Sequence, residues 1–193
     1  MLRVVKLGGS LHREPELKTC LEALASVGED VVLVPGGGPF ADTVRKVQAQ
    51  SKISDAAAHD MAMLAMEQYG LMLCDLNPGL VPVASLDNIH HTLKQGLMPV
   101  WLPSVMCRNA VDIPQNWSVS SDSLAVWLAI QLSASNLTLI KYGRPANTDP
   151  VAMAVSGWVD DAFPFFAKRF GGTLHILDFQ EVKLISGWLA QQD

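Results

Sequence analysis

VVKLGGSL (residues 4–11) and VVLVPGGGPFAD (residues 31–42) decide how this chain is read. Each is an aliphatic, largely β-branched run that ends in glycine and leads into a stretch with helical spacing. Such a run reads as a buried strand. The glycines let the chain turn sharply and let a ligand come close to the backbone. The N–H groups of the turn and the positive end of the next helix then face one point, which suits an anion. Lys6 lies two residues before Gly8 and adds a point charge at that mouth. The first turn is neither a P-loop nor a Gly-x-Gly-x-x-Gly fingerprint. The first alone could be a plain turn, but three consecutive glycines ahead of Pro39 exceed what a turn requires. Two such turns together point to phosphate transfer.

The rest of the chain alternates in the same way. Strands are expected at 2–7, 31–34, 80–84, 98–102, 137–141 and 173–177, and a short one at 117–120. Helices are expected at 14–27, from Pro39 onward, and at 55–70, 86–95, 120–132, 161–170 and 179–190. In 55–70 the residues Ala58, Met61, Ala62, Ala65, Met66 and Tyr69 recur at three and four, with Ser54 or Asp55 as the cap. The segment 142–159 reads as a long irregular loop. This pattern predicts an α/β fold: a three-layer α/β/α sandwich around a mostly parallel sheet, one domain over residues 1–193. Ligands of such sheets collect beyond the carboxyl ends of the strands, where both glycine turns fall.

Bulk properties narrow the partners. Hydrophobic residues make up 49% and charged residues 17%, a globular balance. The net charge is −5 with no basic run, which argues against nucleic acid or a membrane surface. No apolar stretch approaches the roughly 20 residues of a spanning helix, and the amino terminus does not read as a signal peptide. Cys20, Cys74 and Cys107 read as free thiols of a reducing compartment rather than a zinc site. His90 and His91 point in different directions on one helix, so no metal site is expected there. The whole reads as a soluble cytoplasmic protein.

Taken with SSDSLAVWLA (residues 120–129), the two glycine motifs resemble the amino acid kinase family, which includes aspartokinase, acetylglutamate kinase, uridylate kinase and isopentenyl phosphate kinase. ISDAAAHDMAMLAMEQYG (53–70) and WVDDAF (158–163) look most like its short members that phosphorylate aminomethylfuran phosphate in methanofuran biosynthesis. The resemblance implies an amino acid kinase-like fold and use of ATP with Mg²⁺. It implies that Lys6 contacts the transferring phosphoryl group and that Gly8, Gly9 and Ser10 line the nucleotide phosphates. Gly36, Gly37 and Gly38 would hold the acceptor through N–H groups, so a side chain at Gly37 should block the anion while sparing the fold. Asp122 would orient the active-site lysines; its plainer reading is a helix cap.

Two departures from the family pattern stand out. The nucleotide loop begins LIKYGRPANTDP, so only Thr148, Asp149 and Pro150 match, with Asp149 as the nucleotide contact. The Gly-Gly-Met turn that usually carries a second lysine is absent. Lys141 is the substitute by position, because uridylate kinases have a lysine at the comparable strand end; Lys168 is the second choice. His59 and Asp60 are candidate acceptor contacts, His59 for a phosphate and Asp60 for an amine, with a plain helix face as the alternative. Asp160 and Asp161 are expected to cap helix 161–170, or else to meet magnesium or a substrate amine. The acceptor is read as a small molecule, best an amine-bearing phosphate monoester and second an amino acid carboxylate. The alternative from another class is a family member that has lost catalysis and binds a metabolite or partner. Leu71, Met72, Leu73, Leu80, Leu97 and Trp101 offer apolar surface for a homodimer.

Overall fold

Six strands form one sheet: β1 (Arg3–Leu7), β2 (Val31–Pro35), β3 (Leu80–Val83), β4 (Met98–Trp101), β5 (Asn136–Lys141) and β6 (Thr173–Asp178). The computed structural model describes residues 1–26, 30–108 and 110–181. The strand order is β3-β4-β2-β1-β5-β6, and each neighbouring pair is parallel. The reason lies in the strands themselves. All five residues of β1 and of β2 are buried, as a parallel sheet covered on both faces demands. Successive side chains go to opposite faces. Val4, Val32, Val34 and Leu139 join one core; Val5, Leu7, Leu33 and Ile140 join the other.

Eight helices cover the faces among the described residues: α1 (Leu17–Ser26), α2 (Gly38–Ser51), α3 (Asp55–Leu76), α4 (Leu86–Lys94), α5 (Ser104–Cys107), α6 (Ser121–Gln131), α7 (Pro150–Val155) and α8 (Phe163–Arg169). Leu124 and Leu128 of α6 and Phe163 and Phe166 of α8 close the first core, while Leu17, Leu21 and Leu24 of α1 close the second. The three-layer α/β/α sandwich expected from the alternation is therefore present.

The departures have local causes. α1 starts at Leu17 rather than 14 because Pro15 and Glu16 form a turn. α3 runs on to Leu76 because Gly70 does not break it; a Cβ there would sit 3.2 Å from Pro35 and Leu102, so the glycine serves close packing. Ser54 caps α3 as expected, accepting from Ala57 N–H. Residues 117–120 are not a strand. The loop at 142–159 contains α7, whose start is written in Asp149–Pro150: the Asp149 carboxylate accepts from the N–H groups of Val151 and Ala152, and proline takes the first helical position. Short 3₁₀ turns occupy Gly9–Arg13 and Phe179–Glu181. The helix expected at 179–190 otherwise lies outside the described residues.

Topology places the site. From β1 the chain moves to β2, on to the edge strand β3 and back to β4 between them, then crosses to β5 and β6 on the other side, so the switch point lies between β1 and β5. Gly8 N–H donates to Ile140 C=O and Gly36 N–H to Leu7 C=O, each at 2.9 Å, which ties three strand ends together. The two glycine turns touch backbone to backbone. A Cβ on Gly36 would lie 2.3 Å from Gly9 N, and one on Gly9 would lie 2.2 Å from Gly38 N. Gly36→Ala should therefore lower unfolding stability by roughly 1–3 kcal/mol or more, through forced displacement of packed backbone. Gly171→Ala, with nothing within 4 Å of its Cβ, should stay within about 0.5 kcal/mol of the parent. Urea unfolding of both variants checks this; equal midpoints would show that the turns do not depend on contact.

Candidate active site

Lys6 stands at the carboxyl end of β1, Lys141 ends β5, and Asp122 lies in the first turn of α6. The three meet. Lys6 Nζ is 2.7 Å from Asp122 Oδ1 and Lys141 Nζ is 2.8 Å from Asp122 Oδ2. Lys6 is 3% exposed and Asp122 5%, so this is a buried arrangement in which each charge needs the others. Lys141 donates a hydrogen bond to Oδ2, and charge attraction is the larger part of what Lys6 contributes at Oδ1. Burial alone would raise the Asp122 pKa; the two lysines outweigh it and hold the carboxyl below its usual range. The Lys141 pKa is lowered by burial and by Lys6, against the pull of Asp122 and Asp160.

Beside this cluster the glycine turns open into a cavity of about 210 Å³. Gly9, Ser10, Gly37, Gly38, Ser120 and Ser121 give it polar walls, and Met63, Met66, Val119 and Leu124 give it apolar ones. Arg45 stands at the rim over the ring of Trp117, 4.4 Å from its centroid, and pairs with Asp42 at 3.2 Å. Trp117 Nε1–H in turn donates to Gln48 of α2.

A second set of contacts comes from the segment after α7. Lys141 Nζ also donates to the Trp158 carbonyl and lies 4.5 Å from the Trp158 ring centroid. The Asp160 carboxylate reaches back to α6. It accepts from Ser120 N–H at 2.9 Å, Ser120 Oγ–H at 2.7 Å and Ser123 N–H at 3.0 Å, and from Ser123 Oγ–H. Burial raises its pKa, as does the neighbouring Asp122, while these bonds draw it down.

Residues 1–142 match the family model described as the amino acid kinase family. The chain belongs to the amino acid kinase family. It is 23% identical to [5-(aminomethyl)furan-3-yl]methyl phosphate kinase of Methanocaldococcus jannaschii, over 92% of this chain and 88% of that protein. Among solved structures it is similar to uridylate kinase of Archaeoglobus fulgidus, with a TM-score of 0.73 and 16% identity over 97% of this chain and 96% of that one. It is also similar to aspartate kinase of Synechocystis, with a TM-score of 0.61 and 15% identity over 92% of this chain and 38% of that one.

Seen as a family member, the chain brings together Lys6, Asp122 and Lys141, three side chains named from sequence. Gly9, Ser10, Gly37, Gly38 and His59 line the cavity, while Gly8 and Gly36 sit behind it as backbone contacts. Lys168 is exposed on the last turn of α8 and is not among the groups that hold Asp122. Asp60 is not a lining residue, although its Oδ1 is buried without a hydrogen-bond partner among the described residues. Burial lowers the His59 pKa, against a hydrogen bond with Asn116 and the charge of Asp60, which raise it. The Asp149 side chain is exposed and serves as the cap of α7. A Cβ on Gly37 would meet the Ala41 Cβ at 2.4 Å, so a substitution there strains α2 as well as the anion site and does not separate binding from folding.

Asp160 does not cap α8, whose N-cap position is Ala162 without a side-chain bond. Its link to α6 spans 37 and 40 residues of chain, a separation that local capping rules do not cover. Asp122→Asn should lower stability at neutral pH by roughly 3–5 kcal/mol, because it leaves two buried cations facing a neutral amide. The folded-state pKa of Asp122 is depressed. Its stabilisation is therefore present above the unfolded value and is lost as pH falls through the folded one. The gap between parent and variant, followed by urea unfolding, should be constant near neutrality and narrow in acid. A gap that widens in acid would contradict the arrangement.

Proposed function

We propose that this chain is a small-molecule kinase that transfers the γ-phosphoryl of Mg-ATP to a small acceptor, best an amine-bearing phosphate monoester of the aminomethylfuran phosphate type. The observation that carries this is the pair of lysines held on one buried carboxylate at the switch point, beside two glycine turns. Phosphoryl transfer asks little covalent chemistry of a protein. It asks for alignment of the two oxygens and positive charge around the moving group. Lys6 and the N–H groups of Gly37 and Gly38 would take the transferring group and the acceptor oxygen, and Lys141 the other side of the developing charge. Gly9 and Ser10 would meet the nucleotide phosphates.

Magnesium fits this site as part of the nucleotide. Both oxygens of Asp122 face lysines and both oxygens of Asp160 accept from serines, so neither is free to ligate it. Bound to the phosphates it would neutralise charge and keep much of its water. No thiol is needed as nucleophile, and burial pushes Cys20 and Cys107 up to about 12 and Cys74 to about 11. The three cysteines are unpaired, in keeping with a cytoplasmic setting. No helix among the described residues is long and apolar enough to cross a membrane. The aminomethylfuran phosphate acceptor rests on the methanogen relative named above; an amino acid carboxylate is the second choice. The alternative is a catalytically degenerate family member, on the ground of the altered nucleotide loop and the absent Gly-Gly-Met lysine; the place of Lys141 on Asp122 supports the catalytic reading.

We further propose a homodimer. Leu73, Leu80 and Trp101, counted from sequence as dimer surface, are buried in this chain's own core. Leu71, also expected there, is exposed, as are Leu64 of α3 and Val105 of α5, and these would give an apolar face for a second copy. Light scattering at micromolar concentration should give twice the chain mass, and a monomer mass refutes it.

Single-turnover transfer from Mg-ATP to aminomethylfuran phosphate tests the function. Lys6→Met should abolish transfer in a folded protein. Lys141→Met should lower kcat by roughly 10²–10³, the scale of losing one preorganised charge donor, with ATP affinity little changed. Lys168→Met should act as the parent does. Absence of transfer to any small acceptor in the parent would refute the kinase reading. Because Lys141 must be charged and its pKa is lowered, kcat/KM should fall with rising pH at an apparent pKa below that of an ordinary lysine.

A further inference from the structure

We propose that Asp160 is a positioning residue for phosphoryl transfer, an N-cap supplied from a distant segment that sets where Asp122 stands between the two lysines. The inference rests on the kinase reading above and extends it to a residue outside the glycine and lysine motifs.

Ser120 occupies the N-cap position of α6, yet its side chain makes no capping bond to its own helix. It donates to Asp160 instead. Asp160 also takes the N–H groups of Ser120 and Ser123, the donors that a capping side chain normally satisfies. Ser120 and Ser123 flank Asp122 on either side. Fixing both fixes the turn between them, and with it the direction in which the Asp122 carboxylate leaves the helix. The same short segment holds the other partner, because Trp158, two residues earlier, receives Lys141 on its carbonyl and ring. Residues 158–160 thus grip both members of the Asp122–Lys141 pair. All four donors that reach Asp160 come from Ser120 and Ser123, the N-cap and first turn of α6, so its carboxylate is committed to placing that helix rather than to a metal or a substrate.

A displacement of about 1 Å at reacting groups can cost on the order of 10² in rate. Asp160→Ala should therefore lower kcat about a hundredfold with KM for ATP little changed. Asp160→Asn keeps the shape and an acceptor oxygen for the backbone donors, and its amide can donate to a rotated Ser123 hydroxyl; it should restore most of the loss. Rates are read well below the melting temperature, beside Leu24→Ala, a core variant on the opposite face of the sheet that loses stability but should keep kcat. NMR of lysine side chains gives a readout that needs no turnover. In the parent and in Asp160→Asn, the Lys6 and Lys141 signals should stand apart from those of exposed lysines; in Asp160→Ala they should move toward them. Should Asp160→Ala fail to fold, Ser123→Ala removes one of the four bonds and should give a smaller loss in the same direction. A folded Asp160→Ala, or Ser123→Ala in its place, with parental kcat and unmoved lysine signals overturns the proposal. A parent with no phosphoryl transfer overturns the kinase reading, and the NMR comparison then decides the positioning role by itself.

Discussion

The site depends on a carboxylate that cannot be solvated. Asp122 is almost fully enclosed, and two ammonium groups take the place of water around it. Burying such a group costs several kcal/mol, which its partners must offset. The strands that carry the lysines and the helix that carries the carboxylate are thus held to one another by charge at the point where chemistry is proposed. The lysines come from β1 and β5, hydrogen-bonded neighbours on either side of the switch point. No loop rearrangement is needed to bring them together.

The glycine turns solve a different problem. An anion site built on N–H groups needs two backbones to come closer than side chains allow. Gly9 and Gly36 permit this, with the turns in contact where any Cβ would collide with a neighbouring nitrogen. The run of three glycines therefore divides its work. Gly36 meets the first turn, while Gly37 and Gly38 face the cavity and open α2.

The fold was legible because the signals that decide it are local. Aliphatic runs buried on both faces, glycine at their ends and helical spacing between them lead to a parallel sheet without any long-range information. Lys6, Asp122 and Lys141 were legible because two end strands and the third opens a helix. What escaped the sequence was carried by contacts across the chain. Asp160 bonds to α6 rather than to the helix beside it, and nothing within a few residues signals that choice. α7 is hidden for the opposite reason: its Asp149–Pro150 start is local, but the same residues also resemble the end of a nucleotide loop. Leu73 and Leu80 read as surplus apolar surface because a helix ending at Gly70 leaves them bare, and Trp101 because its partner Trp127 is 26 residues away in the chain.

β1 has a hydrogen-bonded strand on each side and no edge open to water. Its amides can exchange with solvent only when the sheet itself comes apart, whereas the segment around Arg144 and Asp149 is largely exposed and can open on its own. The foundation of the charge cluster is thus expected to exchange slowly, and the segment around Arg144 and Asp149 faster. That segment can open and close while Lys6 keeps its place, so its motion can change without disturbing the geometry of the charge cluster.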